Sequence, residues 1–262
     1  MERAPIDSVA LQAALGARWS RVEVVPEIDS TNATLLADDT APDRTLLVAE
    51  HQSAGRGRLD RTWTSPAQTG LTFSVLIRPE PPVDTWGWLP LLTGLAVRDA
   101  LVAAAGVDVA LKWPNDLLAG PEEKKLAGIL AQTTGPAVVV GIGLNVSTTL
   151  DELPVETATS LALEGATDVD RTRLLTAVAG EFDQRVAQWT DARGDAEACG
   201  LAADYRAACL TIGRAVTIST TAGPALRGRA VGIDADGRLQ LDDNGRITVI
   251  GAGDVEHLRP TR

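Results

Sequence analysis

Three arginines stand within six residues in Gly55-Arg56-Gly57-Arg58-Leu59-Asp60-Arg61-Thr62-Trp63. Guanidiniums this close repel one another unless an anion lies between them. The two glycines free the backbone to fold around such an anion. Each planar fork can grip a carboxylate or phosphate through two parallel hydrogen bonds, and Trp63 adds a flat face for a ring or base. Taken alone, the run could equally be a solvated basic loop or an RNA-binding patch. It lacks the G-x-x-x-x-G-K-[ST] spacing of a P-loop, so phosphate is not expected to be cradled in that way.

A second cluster, Lys112-Trp113-Pro114-Asn115-Asp116, puts a cation, an amide and a carboxylate within five residues. Pro114 ends a strand, so Asn115 and Asp116 are expected at a strand end, with Lys112 and Trp113 on opposite faces. An Asn-Asp turn after proline is the alternative. A third cluster is Lys124-Lys125-Leu126-Ala127-Gly128-Ile129-Leu130. A lysine at the mouth of an apolar strand is either an edge gatekeeper or a placed cation. Gly128 inside that strand lets a backbone or a ligand approach closely. Gly141-Ile142-Gly143-Leu144-Asn145 fails the dinucleotide fingerprint, because no third glycine follows at the required spacing.

The elements that must hold these clusters can be read from periodicity. Residues 7–18 read as a helix capped by Asp7 or Ser8, and 22–28 as a strand. Asp29-Ser30-Thr31-Asn32 offers four N-caps before a helix carrying Ala33, Leu35 and Leu36. Residues 45–50 form a short β-rich run, and 51–69 a long loop of the kind that is usually functional or mobile. A strand over 71–77, a buried helix over 89–105 and strands at 109–113, 126–132 and 137–146 follow. This order favours a mixed sheet with helices packed on one side. Residues 151–210, helical over 171–190 and 195–209, hold 12 acids and 5 bases, an excess that reads as a solvated helix face. If 195–209 is one helix, Cys199 and Cys209 lie roughly 15 Å apart along its axis and cannot bridge. From Gly213 to about 259, short runs of period two alternate with turns such as Asp236-Gly237 and Asn244-Gly245, which predicts a small β-barrel. The expected domains are 1–210 and 211–262.

The 262 residues carry 24 Lys+Arg and 35 Asp+Glu, a net charge of −11. That balance argues against broad binding to nucleic acid or an anionic membrane, though not against a local basic site. Two cysteines and two histidines exclude a disulfide scaffold and a Cys/His zinc site. No continuous apolar run approaches a membrane span, and the N-terminus is not that of a signal peptide, so a cytoplasmic protein with reduced thiols is expected.

In order and spacing, Asp29-Ser30-Thr31-Asn32, Gln52, GRGR at 55–58 with Arg61 and Trp63, KWPND at 112–116, KLAGIL at 125–130 and GIGLNV at 141–146 resemble the biotin protein ligases. The resemblance covers roughly 20–150. It implies an α+β catalytic domain like those of class II aminoacyl-tRNA synthetases and biotin synthetases, followed by a small SH3-like barrel. It also implies a two-step reaction. Biotin's carboxylate attacks the α-phosphate of Mg-ATP to give biotinyl-5′-adenylate, and a lysine of a biotin carboxyl carrier domain then displaces AMP. The implied partners are biotin, ATP and the carrier domain of acyl-CoA carboxylases, with Mg²⁺ as cofactor, no tightly bound organic cofactor, no nucleic acid and no membrane.

Residue by residue, the resemblance places Ser30, Thr31, Asn32, Gln52, Arg56, Gly57, Arg58 and Lys125 at biotin. It places Arg56, Arg58, Arg61, Trp63, Lys112, Asn115 and Asn145 at the nucleotide. Lys125, Arg58 and Asp116 are the expected catalytic groups, Asp116 either as a Mg²⁺ ligand or as a guide for the acceptor lysine. Leu59-Asp60 departs from the small residues usual in the loop, and Asp60 is placed to pair with an arginine. Lys125 is preferred over Lys124 because it directly precedes Leu-Ala-Gly. Only 28 residues precede Asp29, too few for the winged-helix repressor domain of some relatives, so the monofunctional form is expected. A biotin-sensing regulator without turnover and a lipoate or octanoate transferase are the competing readings.

Overall fold

A computed structural model describes residues 3–220 and 223–258. The outer ends of the two expected domains (1–2 and 259–262) and residues 221–222 of the expected barrel lie outside the described residues. Helix α1 (Ser8–Leu15) starts at Asp7, whose carboxylate accepts from the Val9 and Ala10 amides. Strand β1 (Arg21–Val25), helix α2 (Thr31–Ala37), strands β2 (Thr45–Ala49) and β3 (Gly70–Ile77) and helix α3 (Trp88–Ala105) follow. Strands β4 (Val109–Lys112), β5 (Asp116–Ala119), β6 (Lys124–Thr134) and β7 (Ala137–Asn145) complete one sheet in the order β1-β2-β3-β7-β6-β5-β4. Only β1 and β2 pair in parallel. Four-residue β5, too short to carry a period, was not anticipated; Lys112 pairs directly with Asp116 across the turn that precedes it.

The two faces of the sheet differ in kind. Leu71, Phe73, Val75 and Ile77 of β3 and Val138, Val140, Ile142 and Leu144 of β7 join one core with α1, α3 and α4 (Arg171–Asp191). The other face carries Thr72, Ser74 and Leu76 opposite Gly143, Gly141 and Val139. Helix α2 covers only the far end of that face, through Leu35 against Leu47, Leu76 and Val139. Most helices thus lie on one side as expected, and the single exception leaves a partly open glycine surface. The Val83–Ala105 stretch is long and apolar enough to cross a bilayer by composition, yet its helix is core, with Leu89, Leu92 and Leu101 fully buried.

The expected helix over 195–209 is α5 (Leu201–Ala208) alone. Asp195 folds its carboxylate onto the Glu197 and Ala198 amides, and Gly200 takes a φ of 81°, so the chain turns before the helix begins. Cys199 is therefore outside the helix, and both thiols are free.

Strands β8 (Ala215–Ser219), β9 (Leu226–Ile233), β10 (Leu239–Asp243), β11 (Arg246–Ile250) and β12 (Asp254–His257) form an antiparallel sheet in the order β11-β10-β9-β8-β12. It is open at β11 and β12, not closed into a barrel. Two buried indoles hold it to the larger sheet: Trp88 donates to the Ala235 carbonyl (2.7 Å) and Trp113 to that of Gly237 (3.2 Å).

A polar joint completes this contact. Glu123, in the β5–β6 turn, pairs with Arg214 through two bonds of 2.6 Å. Arg214 donates to His257 Nδ1 (3.2 Å), which leaves the ring proton on Nε2 for Thr211 (3.0 Å). Thr211 also accepts from the Trp113 amide. Burial, with Lys112 and Arg214 nearby, pushes His257 down to about 4, so the ring is neutral. The unfolded chain then binds more protons between pH 6.5 and 4. The stability from this joint is full above pH 6.5 and is lost as pH falls toward 4. Thermal melts should show a drop on the order of 1–2 kcal/mol across that window that His257→Gln abolishes. An identical pH profile in the variant would remove the joint from the account.

Candidate functional site

The open face of the large sheet is floored by glycines. Asp116, Gly128, Gly143 and Thr72 lie in one cross-strand row, and Gly141 sits two residues along β7 from Gly143. A Cβ on Gly141 would fall 2.1 Å from Asn32 Oδ1, and one on Gly143 would fall 2.3 Å from the Trp63 ring. The glycines are therefore needed for other side chains to lie flat on the sheet. Above them opens a cleft with about 800 Å³ of space, its mouth included, within the usual range for a small-molecule site.

The guanidinium loop forms one wall as a tight hairpin. Trp63 donates to the Gly55 carbonyl (2.9 Å) and Gly57 to that of Arg61 (2.7 Å). Leu59 and Asp60 occupy the turn with φ of 54° and 58°, a left-handed pair that costs a leucine strain. Among the described residues Asp60 makes no ion pair; Arg61 reaches instead to Asp254 of β12 (2.5 Å). That bond holds the Arg61 pKa above its usual value. Arg58 donates to Asn115 Oδ1 (3.1 Å) and the Gly253 carbonyl (3.4 Å). Burial lowers its pKa, while Asp116 and Asp254 oppose the shift. Arg56 lines the cleft with its side chain exposed.

Lys125 reaches the floor because β6 carries a bulge. Leu117 pairs with Ala127, but Leu118 pairs with Lys125, so Leu126 is the extra residue. Leu126 and Ala127 both enter the core, and Lys125 turns to the glycine face. Its ammonium sits 2.6 Å from Asp116 Oδ1 and 6.0 Å from the centre of the Trp63 ring. Lys124 turns away to Glu122 (3.0 Å). The buried Trp63 indole N–H meets no acceptor among the described residues.

The opposite end of the cleft is a chain of hydrogen bonds. Ser30 caps α2 by accepting from the Ala33 amide (3.4 Å), leaving its own proton to give. Gln52 Oε1 accepts from the Thr31 amide (2.8 Å) and lies 3.0 Å from the Thr31 hydroxyl oxygen. Asn32 Nδ2 donates to the Leu130 carbonyl (3.1 Å) and to Gln132 Oε1 (3.0 Å). Ser74 and Gln132 were not singled out from the sequence, nor were Phe73, Gly253 and Asp254, which line the cleft. The Gly141/Gly143 spacing of two was a legible sign that both share one face.

The structure thus brings Ser30, Thr31, Asn32, Gln52, Arg56, Gly57, Arg58, Arg61, Trp63, Asn115, Asp116 and Lys125 around one cleft. It does not bring in Lys112 or Asn145. Lys112 lies by the His257 joint, where its charge is felt, and Asn145 is buried with its amide on the Thr159 carbonyl (2.9 Å). Asn115 spends its own amide on the Ile129 carbonyl (3.0 Å) and so serves to hold Arg58.

Residues 24–148 match the biotin/lipoate A/B protein ligase family, and residues 211–258 match the biotin protein ligase C-terminal domain. The biotin–[acetyl-CoA-carboxylase] ligase of Mycobacterium tuberculosis is 43% identical over 98% of this chain and 97% of its own length. This chain belongs to the biotin protein ligase family. The bifunctional ligase/repressor BirA of Bacillus subtilis is 34% identical over 87% of the chain and 71% of its own length. The biotin protein ligase from Aquifex aeolicus, solved in complex with biotin and ATP, is 29% identical. It superposes with a TM-score of 0.75, covering 92% of this chain and 100% of that one. Within a biotin protein ligase, the glycine floor, the amide chain and the cationic wall are three parts of one cleft.

Proposed function

We propose that this biotin protein ligase activates biotin with ATP to biotinyl-5′-adenylate in this cleft. It then passes the biotinyl group to a lysine of the biotin carboxyl carrier domain of an acetyl-CoA carboxylase or a related acyl-CoA carboxylase. The observation that carries the reading is the meeting of two unlike ends. Hydroxyl and amide groups of Ser30, Thr31, Asn32 and Gln52 suit a ureido head, while Lys125, Arg56 and Arg58 supply positive charge beyond them. A dithiolane head, with neither N–H nor C=O, would leave the amides without partners, so the polar end favours a urea over lipoate.

In the first step a biotin carboxylate oxygen bonds to the α-phosphorus and pyrophosphate leaves. In the second, the acceptor amine bonds to the carbonyl carbon and AMP leaves. Lys125 and Arg58 stabilise the charge that gathers on the oxygens shared by both steps; fixed donors of this kind are worth about 3–4 kcal/mol each in other enzymes. Asp116 holds the Lys125 ammonium over the floor. Trp63 offers its ring face to the adenine. Mg²⁺ enters with the nucleotide as its counter-ion. Among the described residues no three carboxylate, His or Cys groups converge, and Asp116 is already engaged by Lys125, so no resident protein cage for the ion is assigned. The reaction is assigned to the cytoplasm, where Cys199 and Cys209 stay reduced.

Incubation of the pure protein with ATP, Mg²⁺, biotin and a biotin-domain acceptor should add one biotinyl group to the acceptor's mass and release AMP. An acceptor of unchanged mass beside intact ATP would refute the reading. The hairpin wall should also respond to ligand. Trypsin should cut near Arg56–Arg61, biotin plus ATP should suppress the cut, and Asp254→Ala should speed it in the free protein. Equal cutting with and without ligand would show that the wall does not close.

A further inference from the structure

Two residues outside the cleft decide which atoms the cleft presents. Asn32 Nδ2 faces the Leu130 backbone carbonyl, a group that can only accept, so the Asn32 amide has one possible orientation. Its second N–H goes to Gln132 Oε1 (3.0 Å). Its oxygen can only accept, so the Ser74 hydroxyl must donate to it (2.6 Å). Asn32 Oδ1 keeps one open lone pair above Gly141, where no Cβ intrudes. Gln52 is fixed by the same logic. Its oxygen faces the Thr31 backbone amide, a group that can only donate, so its free end is the Nε2 donor. With its own proton given to Asn32, the Ser74 oxygen accepts from the Thr31 hydroxyl (2.7 Å), and the Thr31 amide holds Gln52, which ties the two amides into one chain.

We propose that Ser74 and Gln132 are positioning residues that lock Asn32 as an acceptor, so that the cleft reads a ureido N–H while Gln52 and Ser30 read the ureido oxygen. This rests on the functional reading above. Neither residue lines the cleft, and Ser74 is fully buried on β3. If either is lost, the Leu130 carbonyl still favours that polarity but with one fewer partner beside it, so the Asn32 amide turns more readily and presents a donor toward the ligand's own N–H. Two donors then meet and the contact is forfeited.

The test uses biotin-dependent pyrophosphate exchange and calorimetric binding on the full chain, with biotin and an analogue methylated on a ureido nitrogen. Wild type should prefer biotin by about 100-fold. Ser74→Ala and Gln132→Leu should raise the KM for biotin about tenfold and cut the preference about tenfold, with kcat and the KM for ATP within about threefold. Gln132→Glu keeps the acceptor and should restore the KM to within about threefold. Should Ser74→Ala fail to fold, Gln132→Leu with its Gln132→Glu rescue carries the test. A KM and preference unchanged in Gln132→Leu would overturn the inference, as would a fall in kcat with the KM intact. A wild-type chain that binds no biotin at all would overturn the functional reading, and the inference with it.

Discussion

Lys125→Ala is expected to cut biotin-dependent pyrophosphate exchange by about 10²–10³-fold or more, while Lys124→Ala keeps it within about threefold. The two lysines are adjacent in sequence but serve different surroundings. Lys125 lies over the glycine floor against Asp116 at 2.6 Å, whereas Lys124 pairs with Glu122 at the turn. An ammonium fixed in a cleft before the reaction needs no reorganisation when charge develops on phosphoryl and carboxyl oxygens. Lys125→Arg should recover little, because a planar fork spreads over several donors the charge that the ammonium holds at one point beside Asp116 and Gly128. The opposite ranking, with Lys124 essential and Lys125 dispensable, would mean that the bulge at Leu126 does not place the catalytic cation.

Gly141→Ala should raise the KM for biotin by about 100-fold with little change in the KM for ATP. The added methyl would fall 2.1 Å from Asn32 Oδ1 and 2.8 Å from Asn32 Cγ. Asn32 cannot give way cheaply, because it is tied to Leu130, Gln132 and Ser74. Moving it breaks a buried hydrogen-bonded group, a loss of about 2–3 kcal/mol, or roughly 10²-fold in affinity. Gly143→Ala displaces the Trp63 ring and not Asn32, so its effect should fall chiefly on the KM for ATP. Initial rates with biotin and ATP varied separately would distinguish the two. A uniform loss in both variants would point to general damage to β7.

The difference between these neighbouring glycines shows how far the sequence can be read unaided. Spacing of two along an apolar strand already put Gly141 and Gly143 on one face, and Gly128 invited close approach. The arginine loop, the capped start of α2 and the Lys-Trp-Pro-Asn-Asp turn stood out by residue type. Their order along the chain was enough for the family resemblance, because residue type and spacing are properties of the linear chain. The alternation of Leu71, Phe73, Val75 and Ile77 likewise marked β3 as a strand, and the fold turns those four residues into the core.

Long-range geometry supplied what local pattern could not. Strict alternation from Gly128 would set Lys124, not Lys125, on the glycine face. A single extra residue at Leu126, visible only in the pairing with β5, reverses that. Ser74 and Gln132 look like ordinary strand residues until Asn32, about 40 and 100 positions away in the chain, packs on them. Asp254 meets Arg61 only because two indoles dock the second sheet beside the first. The residue types that can do chemistry are fixed by covalent structure. Which face they occupy, and which proton each amide offers, is settled by partners brought together when the chain folds.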